Sequence, residues 1–144
     1  MSSRYRRPGG AFSPETLPSM TDHTLVRLID NDSDLLETLE LSLRIGGFKP
    51  EPFASGAQAL AGLGRDYPGV ILSDVRMPGM DGLELLETIL DLDPDLPVIL
   101  MTGHGDIEMA VSAMRSGAWD FIIKPVGRDM LVAAFAGQPS RARW

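Results

Sequence analysis

Four polar residues follow short apolar runs of the sequence and could together support phosphoryl transfer: Asp30, Asp74, Thr102 and Lys124. Two carboxylates repel each other unless a cation lies between them, and oxygen ligands without His or Cys favour Mg²⁺. A carboxylate can also attack phosphorus, and an ammonium group and a hydroxyl can then neutralise and position the phosphoryl oxygens. These residue types predict Asp74 as a nucleophile, with Mg²⁺ beside Asp30. Lys124 is the predicted counter-ion and Thr102 the predicted phosphate sensor.

Each of these residues also has a structural explanation when it is taken alone. An Asp at a strand end can cap the next helix, Thr is a common strand residue, and a Lys before Pro can be a surface charge. In an open parallel sheet, however, the carboxyl ends of the strands share one edge, and ligands bind there at the point where strand order reverses. Because four separate strands deliver these groups to that edge, a shared site explains them better.

Strand and helix patterns alternate five times along the chain. The predicted strands span residues 24–29, 48–53, 70–73, 98–101 and 121–123. Helical patterns begin near Asp34, Ser55, Asp81 and Asp106, and a last apolar segment spans 130–135. Since parallel strands need crossover helices between them, we predict an α/β fold: a doubly wound, five-stranded parallel sheet with helices on both faces.

Local signals predict where several of these elements begin. Asp34 and Asp81 are each followed three residues later by Glu, the capping-box pattern of a helix start. Asp106 is predicted to cap the fourth helix. Pro50 and Pro52 remove two hydrogen-bond donors from the second strand, so that strand is expected at an edge of the sheet.

Composition narrows the class of protein. The chain has 144 residues, of which 44% are hydrophobic, and this suffices for one domain with a core. It has no Cys, which excludes disulfides and thiolate metal sites. The formal net charge of −7 argues against direct binding of nucleic acid. No segment has the length and apolar character of a membrane span or secretory signal, so we expect a cytoplasmic protein without membrane contact.

Two segments carry a family resemblance: Leu72 to Gly82, and Thr102-Gly103-His104-Gly105-Asp106. They resemble the receiver domains of bacterial two-component response regulators, especially sigma-54-dependent activators of the C4-dicarboxylate transport regulator type. Thr102 and the Lys124-Pro125 pair follow Asp74 at the spacing of that family. The resemblance implies a flavodoxin-like sheet in the order 2-1-3-4-5. It also implies a phosphoprotein whose phosphoacceptor Asp is served by a sensor histidine kinase.

The resemblance also assigns roles to individual residues. Asp74 resembles the phosphoacceptor, and Lys124 the lysine that pairs with the phosphate. Thr102 and Phe121 match the switch hydroxyl and the switch aromatic. Pro125 matches a proline that follows a cis peptide bond.

The implied Mg²⁺ site contains one departure from the family pattern. Its ligands would be Asp30, Asn31, Asp74 and the backbone carbonyl of Arg76, but the family usually has Asp where this chain has Asn31. An amide oxygen carries no charge, so we predict weaker Mg²⁺ binding and altered phosphorylation. The negative charge of Asp32, one position on, is expected to compensate in part.

The resemblance sets the expected limits of the domain. Residues 1–22, rich in Ser, Pro, Gly and Arg, are predicted to be a disordered leader, residues 23–137 the receiver domain, and 138–144 a tail. No DNA-binding or ATPase segment follows residue 136. The chain is therefore expected to be either an excised receiver from a larger regulator or a stand-alone one.

The sequence is compatible with three functions. The first is a phosphorylatable receiver, not an enzyme, that changes an output or homodimer face formed by the fourth helix, the fifth strand and the last helix. The second is a degenerate, phosphorylation-independent interaction module, because of Asn31. The third is a Mg²⁺-dependent phosphohydrolase with an Asp nucleophile. Such enzymes need a second Asp two residues after the first, where this chain has Arg76.

Overall fold

The computed structural model describes residues 25–136, so the predicted leader 1–22 and tail 138–144 lie outside the described residues. The strands are β1 (Leu25–Ile29), β2 (Lys49–Phe53), β3 (Gly69–Asp74), β4 (Val98–Thr102) and β5 (Asp120–Ile123). The helices are α1 (Ser33–Ile45), α2 (Gly56–Leu60), α3 (Gly82–Leu92), α4 (Ile107–Ser116) and α5 (Arg128–Ala136). Strand and helix alternate along the chain as the sequence pattern predicts.

The five strands form one parallel sheet in the order β2-β1-β3-β4-β5. Leu72 of β3 pairs with Leu28 of β1 on one side and with Ile99 of β4 on the other. The predicted doubly wound α/β fold and its strand order are confirmed. Strand order reverses between β1 and β3, which places a ligand crevice at the carboxyl ends of those two strands.

Side chains alternate between two apolar layers, one on each face of the sheet. In β3, Ile71 packs with one layer, and its neighbours Val70 and Leu72 pack with the other. The Ile71 layer is covered by α2, α3 and α4, and the opposite layer by α1 and α5. Both faces of the central strands are therefore buried, which agrees with their nearly continuous apolar sequences.

The second strand lies at the edge of the sheet, as its two prolines predict. β2 pairs with β1 alone, and Pro50 and Pro52 face Val26 and Leu28 across that pair. The short helix α2 follows and is capped by Ser55, whose Oγ accepts a hydrogen bond from the Gln58 N–H at 3.2 Å.

The cap of α3 is the one that the sequence predicts, whereas the cap of α1 is a different residue. At α3 the capping box is present: the Asp81 carboxylate accepts from Glu84 N–H at 2.9 Å, and the Glu84 carboxylate accepts from Asp81 N–H at 3.0 Å. At α1 the expected cap Asp34 is wrong. The cap is Asp32, whose Oδ1 accepts from the N–H groups of Asp34 and Leu35. Asp34 lies inside the first turn, where its charge still favours the helix N-terminus.

The start of α4 also differs from the prediction. A short 3₁₀ turn, His104–Asp106, precedes the helix, and the Asp106 side chain makes no capping hydrogen bond. Its carboxylate is bound to Arg76 instead, 2.6 Å from the Arg76 Nε. The longest helix within residues 25–136 has 13 residues, and none in that range could cross a bilayer.

Candidate functional site

Three of the four predicted site residues meet at the carboxyl edge of the sheet. Asp30 directly follows β1, Asp74 ends β3, and Lys124 directly follows β5. The Lys124 Nζ lies 3.2 Å from Asp74 Oδ1 and 3.5 Å from Asp30 Oδ2. One ammonium group therefore bridges two carboxylates, one from β1 and one from β3, the two strands between which the strand order reverses.

Backbone hydrogen bonds fix the strand ends that carry these groups. Asp30 N–H donates to the Phe53 carbonyl at 3.1 Å, and Lys124 N–H donates to the Thr102 carbonyl at 2.7 Å. Between them, Val75 N–H donates to the Met101 carbonyl at 3.0 Å. The sheet ladder thus continues up to the site, and the side chains leave from rigid backbone.

Burial and charge determine the protonation of the central carboxylate. Asp30 and Asp74 are 1% and 8% exposed, so both are withdrawn from water. Burial, followed by the nearby charge of Asp30, raises the pKa of Asp74, and the ammonium of Lys124 opposes that rise. Any further cation placed between the carboxylates would favour the ionised, nucleophilic form of Asp74.

The Asp30 carboxylate has one satisfied and one unsatisfied oxygen. Oδ1 accepts from the Asp32 N–H at 2.9 Å. Oδ2 is buried and has no hydrogen-bond partner within the described chain, with only the Lys124 ammonium nearby. A buried, unpartnered carboxylate oxygen beside a second carboxylate fits a small hard cation such as Mg²⁺. Residues 25–136 hold no cluster of three His, Cys, Asp or Glu side chains, so the charged donors are two carboxylates.

Thr102, the fourth predicted residue, lies at the same edge but is engaged elsewhere. Its side chain is fully buried, and its hydroxyl lies 3.2 Å from both the Gly103 and Asp106 carbonyl oxygens, to which it donates. The predicted switch aromatic, Phe121, is half-buried on β5 and packs against the Ile71 layer. The expected cis peptide bond before Pro125 is present.

Two glycines shape the loop that follows Asp74. Gly79 has φ +77°, a left-handed conformation that favours glycine. A Cβ added at Gly82 would lie 2.6 Å from the Asp74 carbonyl oxygen and 2.8 Å from the Val75 Cα. Only glycine allows α3 to begin this close to the end of β3, and this packing fixes the backbone on which Asp74 stands.

Two candidate residues are exposed, unlike the buried carboxylates of Asp30 and Asp74. Asn31 directly follows Asp30, but its side chain is exposed. Arg76 has a side chain that is 70% exposed and forms an ion pair with Asp106. Sequence reasoning assigned only the Arg76 backbone to the site and did not find this ion pair. The one indication of this ion pair in the sequence is Asp106 at the start of α4, because an Asp there can bind either the helix N-terminus or a basic side chain.

The chain resembles proteins and solved structures of one family. A family model described as "Response regulator receiver domain" matches residues 26–136. The C4-dicarboxylate transport transcriptional regulatory protein DctD of Rhizobium meliloti (strain 1021) is 57% identical over 107 residues, covering 74% of this chain and 23% of the relative. The DNA-binding transcriptional regulator NtrC of Escherichia coli (strain K12) is 46% identical over 109 residues, covering 76% and 23%. This chain thus spans about a quarter of the length of these relatives.

Solved structures agree with the fold. A response regulator receiver domain protein from Clostridium thermocellum matches with a TM-score of 0.76 and 28% identity, covering 83% of this chain and 97% of that one. Full-length FixJ from B. japonicum matches with a TM-score of 0.72 and 38% identity, covering 83% and 59%. The family match covers all of the described strands and helices except Leu25, the first residue of β1, and it includes the Asp30–Asp74–Lys124 site. The chain belongs to the response regulator receiver domain family and is a receiver domain of two-component regulatory systems.

Proposed function

We propose that Asp74 is the phosphoacceptor of this receiver domain. One observation carries the proposal: the Lys124 ammonium bridges the buried carboxylates of Asp74 and Asp30 at the carboxyl edge of the sheet. A lysine held there can neutralise phosphoryl oxygens, and the sheet holds the carboxylate in place. Regulation by phosphorylation is typical of the family.

The proposed reaction is a transfer from a phosphohistidine of a sensor histidine kinase. A carboxylate oxygen of Asp74 attacks the phosphorus, a new O–P bond forms, and the P–N bond to the imidazole breaks. The imidazole leaves with the electron pair of that bond and takes a proton. Lys124 remains beside the phosphoryl group as its counter-charge. The attacking carboxylate must be ionised, so Lys124, which opposes the rise in the pKa of Asp74 caused by burial, assists the transfer.

The site fits Mg²⁺, although with fewer charges than the family usually provides. Asp30 and Asp74 would hold the ion through carboxylate oxygens, and Asn31 and the Arg76 backbone through carbonyl oxygens. Bound there, Mg²⁺ would neutralise charge on the carboxylates and on the incoming phosphoryl group. The Asp30 Oδ2, which is buried and has no hydrogen-bond partner among the described residues, supports this assignment. Asp32 is exposed and caps α1, so its expected compensating charge acts from outside the carboxylate pair.

Phosphorylation would be relayed by Thr102 and Phe121. A phosphoryl group adds nearly two negative charges at Asp74 and offers new hydrogen-bond acceptors to the Thr102 hydroxyl. Movement of Thr102 would leave space into which Phe121 can turn, which changes the surface of α4, β5 and α5. We propose that this face carries the output, including a homodimer. Because this domain is acidic, we propose that it does not bind DNA, and that the DNA binding named for NtrC belongs to a part of that regulator that does not resemble this chain.

Incubation with acetyl phosphate and Mg²⁺ tests the proposed phosphoacceptor. Intact-mass spectrometry should show one hydroxylamine-sensitive phosphoryl adduct on the wild type and none on Asp74→Asn. Asp91→Asn, which removes an exposed carboxyl group from α3, is the matched control and should keep the adduct. An unmodified wild type would indicate a phosphorylation-independent interaction module. Repeated release of phosphate would indicate a phosphohydrolase.

A further inference from the structure

The side chain of Asp106 is bound in an unusual way for its position. It stands at the N-cap position of α4 yet makes no capping bond. Its carboxylate, 14% exposed, accepts from Arg76 Nε at 2.6 Å. Arg76 lies two residues after Asp74, and so its Cα is within about 7 Å of the Asp74 Cα. This ion pair ties the loop after β3 to the loop after β4.

The backbone of Asp106 binds the switch hydroxyl. Thr102 donates to the carbonyl oxygens of Asp106 and Gly103, and Asp106 N–H closes the 3₁₀ turn on the Gly103 carbonyl at 3.0 Å. Since Thr102 is fully buried, its hydroxyl can leave these acceptors only for another buried partner. One residue thus meets Arg76 through its side chain and Thr102 through its carbonyl.

We propose that Arg76 and Asp106 are positioning residues that hold Thr102 in the position it takes when Asp74 is not phosphorylated. The ion pair fixes the 3₁₀ turn, and the turn keeps the Thr102 hydroxyl on the backbone rather than on a phosphoryl group at Asp74. This inference rests on the proposed function of Asp74 as phosphoacceptor. The contact between these two loops thus opposes the movement of Thr102 toward a phosphorylated Asp74.

The same ion pair offers a route for its release. A phosphoryl group on Asp74 offers new acceptors to the Thr102 hydroxyl, and when that hydroxyl leaves the Asp106 carbonyl, the turn that the ion pair fixes loses one of its hydrogen bonds. Once released, Asp106 can accept from N–H groups in the first turn of α4, which has no side-chain cap in the present conformation. Breaking the pair therefore exchanges one set of bonds for another.

Beryllofluoride, a phosphoryl mimic, tests the inference at saturating Mg²⁺. Its dissociation constant is measured by calorimetry for the wild type, Arg76→Gln, Asp106→Asn and the double variant. Each single variant is expected to bind about two- to fivefold more tightly, the size of effect given by a partly exposed ion pair. The double variant should gain no more than Asp106→Asn, because both changes remove the same restraint.

Arg76→Gln gives the sharpest outcome. Removing a positive charge beside an anion site would weaken binding if only electrostatic attraction mattered, whereas loss of the restraint strengthens it. Arg115→Gln, which removes an exposed positive charge from the last turn of α4, is the control and should leave the affinity unchanged. Without beryllofluoride, the amide NMR shifts of Gly103 and Asp106 should move in Arg76→Gln toward their wild-type bound positions. A purely structural role would not produce this movement.

The failures can be told apart. If the wild type binds beryllofluoride and Arg76→Gln binds equally or more weakly, the inference is overturned and the proposed function stands. If the wild type does not bind beryllofluoride at saturating Mg²⁺, the proposed function fails and takes the inference with it.

Discussion

Asp74 combines two demands that oppose each other at the level of a single residue. The carboxylate must be buried so that water does not compete for the phosphoryl group, but burial disfavours its ionised form. The Lys124 ammonium at 3.2 Å offsets part of that cost, while the charge of Asp30 adds to it. An added cation beside the two carboxylates would therefore favour the ionised form of Asp74.

Asp74→Asn is expected to raise the free energy of unfolding at neutral pH in Mg²⁺-free buffer. Burial and Asp30 raise the pKa of Asp74, so the folded state holds this proton more tightly than the unfolded chain does. The stability contributed by the protonated carboxyl is present below its unfolded pKa and is lost as pH rises through its folded pKa. The neutral amide escapes this loss, which is about 1.4 kcal/mol for each unit of pKa shift.

Urea unfolding of both proteins across the acid-to-neutral range measures this effect. The advantage of Asp74→Asn should grow as pH rises through the folded pKa, and saturating Mg²⁺ should reduce it. Asp91→Asn, an exposed carboxyl on α3, should show no such growth. A stability difference that stays constant with pH, or shrinks as pH rises, would contradict the assignment.

Asn31→Asp is expected to strengthen Mg²⁺ binding by about tenfold or more, since a charged ligand replaces a neutral one at a hard cation. The gain should appear in an isothermal titration with MgCl₂, and a faster reaction with acetyl phosphate should accompany it. Ser33→Asp places a new carboxylate on an exposed residue two positions later and serves as the charge control. Ordinary Mg²⁺ affinity in the wild type, with no improvement in Asn31→Asp, would refute the predicted deficit.

At the scale of elements, an unusual feature lies next to the edge strand β2, where β1 carries an arginine among apolar neighbours. The Arg27 side chain is 12% exposed and lies 3.5 Å from the Glu51 carboxylate of β2. Its guanidinium stacks over the rings of Phe53 and Tyr67, with centroid distances of 5.0 and 5.1 Å. It also donates to the Ala59 carbonyl in α2. A single side chain thus joins the edge strand to the shortest helix.

The Arg27 cluster, formed by Arg27, Glu51, Phe53 and Tyr67, is closed by the tyrosine. Tyr67 donates to the Glu51 carboxylate at 2.7 Å. Burial, with a further contribution from Glu51, raises the pKa of Tyr67, so the phenol stays protonated and remains a donor. The Glu51 carboxylate therefore contacts both the Arg27 guanidinium and the Tyr67 hydroxyl.

Arg27→Met is expected to lower the free energy of unfolding by about 1–3 kcal/mol. Methionine keeps much of the apolar stem but leaves Glu51 without its cation and the Ala59 carbonyl without this donor. Arg44→Met is the matched control, because Arg44 is 56% exposed and its pair with Glu40 lies along the surface of α1. That control should change stability by less than about 0.5 kcal/mol. Equal effects of the two substitutions in urea unfolding would show that the cluster adds no stability.

Across the whole molecule, the sequence predicted the features that arise from local periodicity. Apolar runs at 70–73 and 98–101 are buried on both faces, and the capping box at Asp81 is local, so neither required tertiary knowledge. Asp106 could not be assigned in this way. Its two possible partners are the helix it precedes and an arginine 30 positions earlier in the chain, and only the packing of two loops decides between them. Arg27 is similar, because its partners lie on three other segments.

We expect phosphorylation at Asp74 to alter the face formed by α4, β5 and α5, and thereby to alter which partner this face binds. Val111 on α4 and Met130 on α5 are large apolar side chains that are 42% and 45% exposed, so each could be buried by a partner. Leu41 and Ile45 are also exposed, but they lie on α1. The two pairs therefore provide test and control surfaces of the same chemical character.

Beryllofluoride with Mg²⁺ is expected to shift the chain from monomer toward homodimer through the α4-β5-α5 face. Val111→Glu and Met130→Glu should each weaken that dimer by at least about tenfold, because burying an unpaired charge costs more than burying the apolar side chain gains. Sedimentation velocity over a concentration series measures the dissociation constants. Leu41→Glu, which places the same charge on α1, should leave them unchanged. A dimer weakened equally by Leu41→Glu would move the interface to α1, and a monomer at every concentration would remove the homodimer from the proposed output.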